Sequence, residues 1–122
     1  EVSDMREVLR LAKQGSHRAI EAIDLFCYRI KKYIGAYTAI LGRVDALIFT
    51  GGIGENDFNI RRMILQNMEF LGIDFDEPGN HGVKGEDKII TKPDSRVTAL
   101  VVKTNEELVI ASDTYKILEK CF

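Results

Sequence analysis

The sequence predicts an α/β fold with largely parallel strands and flanking helices, on three observations. Two short apolar runs, 44–49 and 97–102, are rich in β-branched and aromatic residues and read as buried strands. Each is followed by a polar or glycine turn and then by apolar residues at helical spacing. A long helical stripe over residues 16–41 precedes the first run. Strands separated by helices imply parallel pairing through crossover connections. Strands this continuously apolar imply a sheet covered on both faces.

In chain order, Ser3 or Asp4 is placed to cap a first short helix carrying Val8, Leu9 and Leu11. In the long helix, with Ser16 as a candidate cap, Ala19, Ile23, Phe26, Ile30, Ile34, Tyr37 and Leu41 recur every three or four residues. Such a helix spans roughly 35–40 Å at about 1.5 Å per residue. That is long for a small domain, so part of its stripe is expected to cover another subunit or domain. Gly35 lowers helix propensity locally and permits close packing. His17, and the cluster Arg29, Lys31 and Lys32, read as solvated side chains.

The first strand stops at Thr50 and gives way to Gly51, Gly52 and Gly54. Asn56 or Asp57 caps the next helix, 57–71, which carries Ile60, Ile64, Met68 and Leu71 and is closed by Gly72. Arg61 and Arg62 read as exposed helix charges. Residues 73–75 alternate like a short edge strand, and 76–80 are turn-forming residues throughout. The loop holding His81, Gly82 and Gly85 is expected to be mobile and without chemistry. Asp74, Asp76 and Glu77 lack the spacing of a calcium loop. Another brief strand is expected at 88–91. After the strand 97–102, Thr104 and Glu107 stand at capping-box spacing and open a last helix. Leu108, Ala111, Tyr115, Leu118 and Phe122 line one of its faces.

The chain has 122 residues, enough for one domain with a modest core. Its net charge of −2, with both signs mixed, gives no basic footprint for nucleic acid. No apolar run approaches the roughly 18 residues of a membrane span, and no signal-peptide pattern stands at the start. Cys27 and Cys121 lie far apart in helical patterns and read as reduced core thiols, not a disulfide or metal pair. The expectation is a soluble, cytoplasmic protein without nucleic-acid or membrane partners. The start at Glu1-Val2, without methionine, suggests a piece of a longer chain.

Strand, glycine turn and helix in succession have chemical consequences. A helix N-terminus offers unpaired N–H groups and partial positive charge. Glycines clear side chains from the backbone and permit φ > 0. The turn therefore suits a phosphate, or a nucleoside lying against the main chain. A tight βα corner without ligand is the alternative. The turn is no P-loop, because it lacks the Gly-Lys-Ser/Thr ending. It also lacks the third glycine of the dinucleotide fingerprint.

The stretch Phe49-Thr50-Gly51-Gly52-Ile53-Gly54-Glu55-Asn56 resembles the adenosine motif of the acetate kinase family, in the actin, sugar kinase and Hsp70 superfamily. Ser3-Asp4-Met5-Arg6, Tyr28-Arg29-Ile30-Lys31-Lys32-Tyr33-Ile34-Gly35 and Thr104-Asn105-Glu106-Glu107-Leu108 agree with the family in the same order. One departure is Gly51, where alanine is expected. The resemblance implies the later part of a ribonuclease H-like domain, a single C-terminal nucleotide-binding unit over 1–122 with the N-terminal domain upstream. It implies ATP or ADP as substrate, Mg²⁺, and acetate or acetyl phosphate in the full-length enzyme.

By the same resemblance, Gly52, Ile53, Gly54, Glu55 and Asn56 contact nucleotide. Asp4, Met5 and Arg6 form a second nucleotide-contacting segment, in which a carboxylate suits ribose hydroxyls and a guanidinium an adenine face. With Glu107 occupied in a capping box, Glu106 is left free for magnesium, and the family's metal-linked glutamate falls on it. The family's catalytic histidine, arginines and aspartate have no counterpart here, so no catalytic residue is assigned and the isolated chain is expected to be inactive. A homodimer is implied. The alternatives are a propionate or butyrate kinase, or a non-catalytic nucleotide-binding or dimerisation module.

Overall fold

A computed structural model describes residues 4–121, with side chains through residue 119. Helix α1 (Met5–Lys13) is capped by Asp4, whose carboxylate accepts the Arg6 backbone N–H at 2.9 Å. Ser3 lies outside the described residues. Helix α2 (His17–Leu41) runs for 25 residues and follows Ser16, whose hydroxyl makes no capping bond. Its apolar stripe divides. Ala19, Ile23 and Cys27 are buried, and Phe26, Ile30 and Ile34 pack against the core. Tyr37 and Leu41, at the far end, are 59% and 71% exposed.

Strand β1 (Ala46–Phe49) pairs in parallel with β3 (Thr98–Val101), and β2 (Lys88–Ile89) pairs antiparallel with β3. The strand order is β1-β3-β2. The sheet is therefore mixed: the two apolar strands pair in parallel as expected, and the antiparallel β2 departs from the expectation. The short β2 returns directly beside β3, without the crossover helix that parallel pairing needs. Phe75 joins Thr91 in a single antiparallel bridge, so no edge strand forms at 73–75.

One face of the sheet carries the core. Phe49, Ala99 and Val101 are buried against Ile60, Ile64, Leu65 and Met68. The opposite face is open, against expectation. Ile48 and Ile89, both paired to Leu100, are 58% and 60% exposed. Apolar residues on both faces explain why β1 shows no alternation, but the described residues cover only one of them.

The expected helix 57–71 is two pieces. Helix α4 (Phe58–Leu65) ends where Gln66 turns extended and Asn67 adopts φ 61°. A 3-10 turn (Glu69–Leu71) follows, closed by Gly72. Asparagine tolerates the left-handed region because its short amide bonds locally, and the kink still leaves Met68 and Ile73 buried. A single turn, α5 (Glu77–Asn80), is capped by the Asp76 carboxylate, which accepts the Gly79 N–H at 3.0 Å.

Helix α6 (Glu106–Cys121) stands away from the core, with Leu108, Ile110, Tyr115 and Leu118 exposed. Cys27 is buried and free, and burial raises its thiol pKa. The Cys121 side chain and Phe122 lie outside the described residues. Among the described residues, no helix is long and apolar enough to cross a membrane.

Candidate functional site

The glycines after β1 do not form an open turn. They are the first residues of a short helix, α3 (Gly51–Asn56), which Thr50 enters in extended conformation. Gly51 makes the change of direction at φ 72°, a value that strains any residue with a Cβ. Gly54 packs on the strand end, where an added Cβ would stand 3.2 Å from the Phe49 carbonyl carbon. Gly52 differs from both: a Cβ there would meet nothing within 4 Å. The chain then turns at Asp57, whose carboxylate accepts the N–H groups of Asn59 and Ile60 at 3.0 Å and caps α4.

Glu55 is 7% exposed, and its Oε1 is the meeting point of two loops. Gly51 donates its N–H to this oxygen at 2.8 Å, and the Thr50 hydroxyl lies at 3.4 Å. From the loop after β3, Thr104 donates its backbone N–H at 2.8 Å and its hydroxyl at 2.5 Å. These bonds favour the charged form, the Thr104 hydroxyl and N–H most, and hold the carboxyl below the ordinary glutamate range. Asn56 folds back, its Nδ2 donating to the Gly52 carbonyl at 3.0 Å.

Arg61 underlies the corner. It is 0% exposed, not the solvated helix charge that the sequence suggests. It donates to the Gly54 carbonyl at 2.6 Å, the Val83 carbonyl at 2.7 Å and Asn80 Oδ1 at 2.8 Å. Asn80 in turn donates to the Phe58 carbonyl at 2.9 Å. The 81–85 loop, expected to be mobile, is thus tied in at Val83, and also at Gly85, whose N–H reaches the Glu55 carbonyl at 3.1 Å. A signal for Arg61 was present in the sequence. Ile60, Arg61, Ile64 and Leu65 share one face of α4, and that face is buried.

The Thr104–Glu107 capping box does not form. The Thr104 hydroxyl is engaged with Glu55, and Asn105 caps α6 by accepting the Leu108 N–H at 3.0 Å. An asparagine one residue later satisfies the same orphan donors, which leaves Glu107 without the structural task that spacing assigned it. Glu106 is exposed at the first turn of α6, two residues beyond Thr104. Among the described residues, no three His, Cys, Asp or Glu side chains gather into a metal cage. A lone exposed carboxylate still fits magnesium, which takes one or two protein carboxylates and completes its shell with water and phosphate oxygens.

Asp4, Met5 and Arg6 stand at the start of α1, with Asp4 as its cap. The Asp4 and Arg6 side chains form an exposed ion pair at 2.6 Å, and the guanidinium lowers the Asp4 pKa. Met5 packs against the core. Helix α1 lies against α2, and no hydrogen bond or ion pair among the described residues links it to the corner.

The sequence profile of the acetokinase family matches residues 1–112. The chain belongs to the acetokinase family. Over 117 residues it is 51% identical to an acetate kinase of Porphyromonas gingivalis, covering 96% of this chain and 29% of that protein. The solved Porphyromonas gingivalis acetate kinase superposes with TM-score 0.86 at 50% identity, covering 94% of this chain and 29% of that one. A propionate kinase from Francisella tularensis superposes with TM-score 0.74 at 41% identity, covering 88% of this chain and 27% of that one. The chain thus spans under a third of the length of the acetokinases it matches.

Proposed function

We propose that this chain is the C-terminal, nucleotide-binding part of an acetate kinase, which moves a phosphoryl group between ATP and acetate with Mg²⁺. The observation that carries the reading is the corner after β1, where the Gly52 backbone is open and everything around it is held. The open backbone offers a surface on which a nucleoside can lie, and Arg61 and Glu55 keep it in one shape. Glu55 already places the protein's own carboxylate on the first N–H of α3. A second anion there would meet like charge, so the corner suits the uncharged nucleoside end of ATP or ADP more than its phosphates.

In this reading Gly52, Ile53, Gly54 and Asn56 border the nucleoside, and Glu55 contributes through its backbone, its carboxylate being engaged. Asp4, Met5 and Arg6 supply a second nucleotide-contacting segment, on the strength of the family likeness. Glu106 would hold a magnesium ion, whose chemistry when bound would be charge neutralisation at the phosphates. No residue here is assigned as catalytic base or phosphate clamp. The acetate or acetyl phosphate site belongs to the rest of the full-length protein. The uncovered sheet face and the free edge of β1 fit a ribonuclease H-like domain whose earlier strands pack there. The exposed end of α2 fits a homodimer interface, and the setting is cytoplasmic.

A propionate or butyrate kinase is the second reading, favoured by the likeness to a propionate kinase. The test is the full-length protein with ATP and, in parallel, acetate, propionate and butyrate. Acetyl phosphate formed fastest supports the proposal, and a faster propionyl or butyryl phosphate replaces it with the second reading. ATP binding without any acyl phosphate would leave a non-catalytic module. Absence of ATP binding would refute the nucleotide site itself.

A further inference from the structure

We propose that Glu55 is a positioning residue for the metal ligand. Its carboxylate straps the loop bearing Glu106 to the corner that borders the nucleoside. The inference rests on the reading of the corner and of Glu106 given above. Two loops leave the C-terminal ends of neighbouring parallel strands, β1 and β3, and each bears one part of that site. Parallel pairing fixes the strands but not the loops. The loops are joined by one oxygen, Glu55 Oε1, which accepts from Gly51 on one side and from Thr104 twice on the other.

The first bridge beyond the strand pairing is the Val102 N–H to the Phe49 carbonyl at 2.9 Å. The next is the Glu55 strap, and Glu106 follows two residues later. Among the described residues, the other tie on this loop is the Lys103 N–H to Asp87 Oδ1 at 2.7 Å, which runs to the 81–87 side and not to the corner. Nothing among the described residues packs on the large apolar side chains of helix α6, so within this chain the helix adds no further tie. The strap is thus, among the described residues, the side-chain tie that sets the Glu106 loop against the corner. A magnesium ion bound by one carboxylate and by nucleotide phosphates needs that spacing kept. Without the strap, part of the binding free energy is spent in ordering the loop each time the ion binds.

The test uses the full-length protein and measures ATP binding without acetate over a range of magnesium concentrations. Thr104→Val removes the hydroxyl bond and keeps the side-chain shape; Thr104→Ser keeps the hydroxyl. Thr104→Val is expected to raise the magnesium concentration for half-maximal strengthening of ATP binding by about tenfold, the low end for loss of a partner that orients a metal ligand. Magnesium-free ATP affinity should stay within about twofold of the parent, since the corner itself is intact. Thr104→Ser should match the parent. Glu55→Gln should raise the magnesium requirement at least as far, with some loss of magnesium-free affinity as well because its bond to Gly51 is also weakened. The double variant should raise the magnesium requirement no further than the worse single one.

Should Glu55→Gln fail to fold, the two threonine variants decide alone. A Thr104→Val protein with the parent's magnesium dependence overturns the strap, provided Glu106→Gln abolishes that dependence. If Glu106→Gln also leaves it unchanged, the metal assignment fails first and the proposal with it. An equal loss of ATP affinity with and without magnesium in Thr104→Val overturns the proposal too, because it marks a general structural role.

Discussion

Arg61 and Asn80 meet in the interior, Nε to Oδ1 at 2.8 Å, and this contact joins the corner after β1 to the turn at α5. The guanidinium has no carboxylate within ion-pair distance among the described residues. Burial pushes its pKa down, yet an arginine stays charged, so its charge is spread over three oxygen acceptors instead. Arg61→Met leaves those acceptors unpaired inside the protein. Each such group costs about 1–3 kcal/mol, so a loss of at least about 3 kcal/mol is expected in urea unfolding. Arg61→Lys should lose less, because an ammonium reaches some of the acceptors. Unfolding midpoints for both variants that match the parent would contradict the contact.

The strap at Glu55 has a pH signature. Its carboxyl titrates below the ordinary glutamate value of about 4.3 in the folded state and near that value when unfolded. The unfolded chain therefore binds more protons in that interval. The stabilisation is fully present above the unfolded value and is lost as pH falls through the folded one. The difference in stability between parent and Glu55→Gln should be constant above about pH 6 and shrink on acidification towards pH 3. Asp4 and Glu7 titrate low as well, through their arginine partners, but they are common to both proteins and cancel in the difference. A difference that grew on acidification would have the wrong sign.

Gly51 and Gly52 should respond oppositely to substitution. Gly51→Ala puts a Cβ at φ 72° and should cost about 1–2 kcal/mol of stability. Gly52→Val finds open space and should cost at most about 1 kcal/mol, yet it places a branched side chain where the nucleoside would lie. In the full-length protein it should weaken ATP binding much more than acetate binding. Equal losses for both substrates, with the fold intact, would place the nucleotide elsewhere.

Self-association should run through the far end of α2. Tyr33 and Tyr37 stack on each other at 6.2 Å, and Ile40 and Leu41 beside them are exposed. A two-fold pairing of this helix would cover that surface. Sedimentation of the full-length protein should show a dimer, and Ile40→Asp should weaken it. A strict monomer at high concentration would contradict the assignment.

The 122-residue chain alone should form no acetyl phosphate from ATP and acetate. It presents no residue assigned to the reacting phosphate, and half a cleft neither positions acetate nor excludes water. Product above a protein-free blank would refute this.

The sequence by itself determined what depends on local order along the chain. The 3.6-residue period marked α2 almost to its last residue, because 25 residues of consistent spacing outweigh one glycine. The apolar runs marked β1 and β3, and the glycines marked the corner, because φ 72° at Gly51 favours glycine and the 3.2 Å approach to backbone at Gly54 leaves little room for a Cβ. Spacing alone misassigned the start of α6, since Thr104 and Asn105 both suit a cap and only the position of Glu55 decides between them. Tertiary structure also decided Arg61. Spacing puts Arg61 on the apolar face of α4, but it does not supply the three oxygens, two of them some 20 residues away, that make burial of its charge tolerable. The direction of β2 and the open sheet face were likewise hidden, because pairing partners and covering layers are set by distant segments. Periodicity reports which side chains avoid water; it does not report what lies on the other side of them.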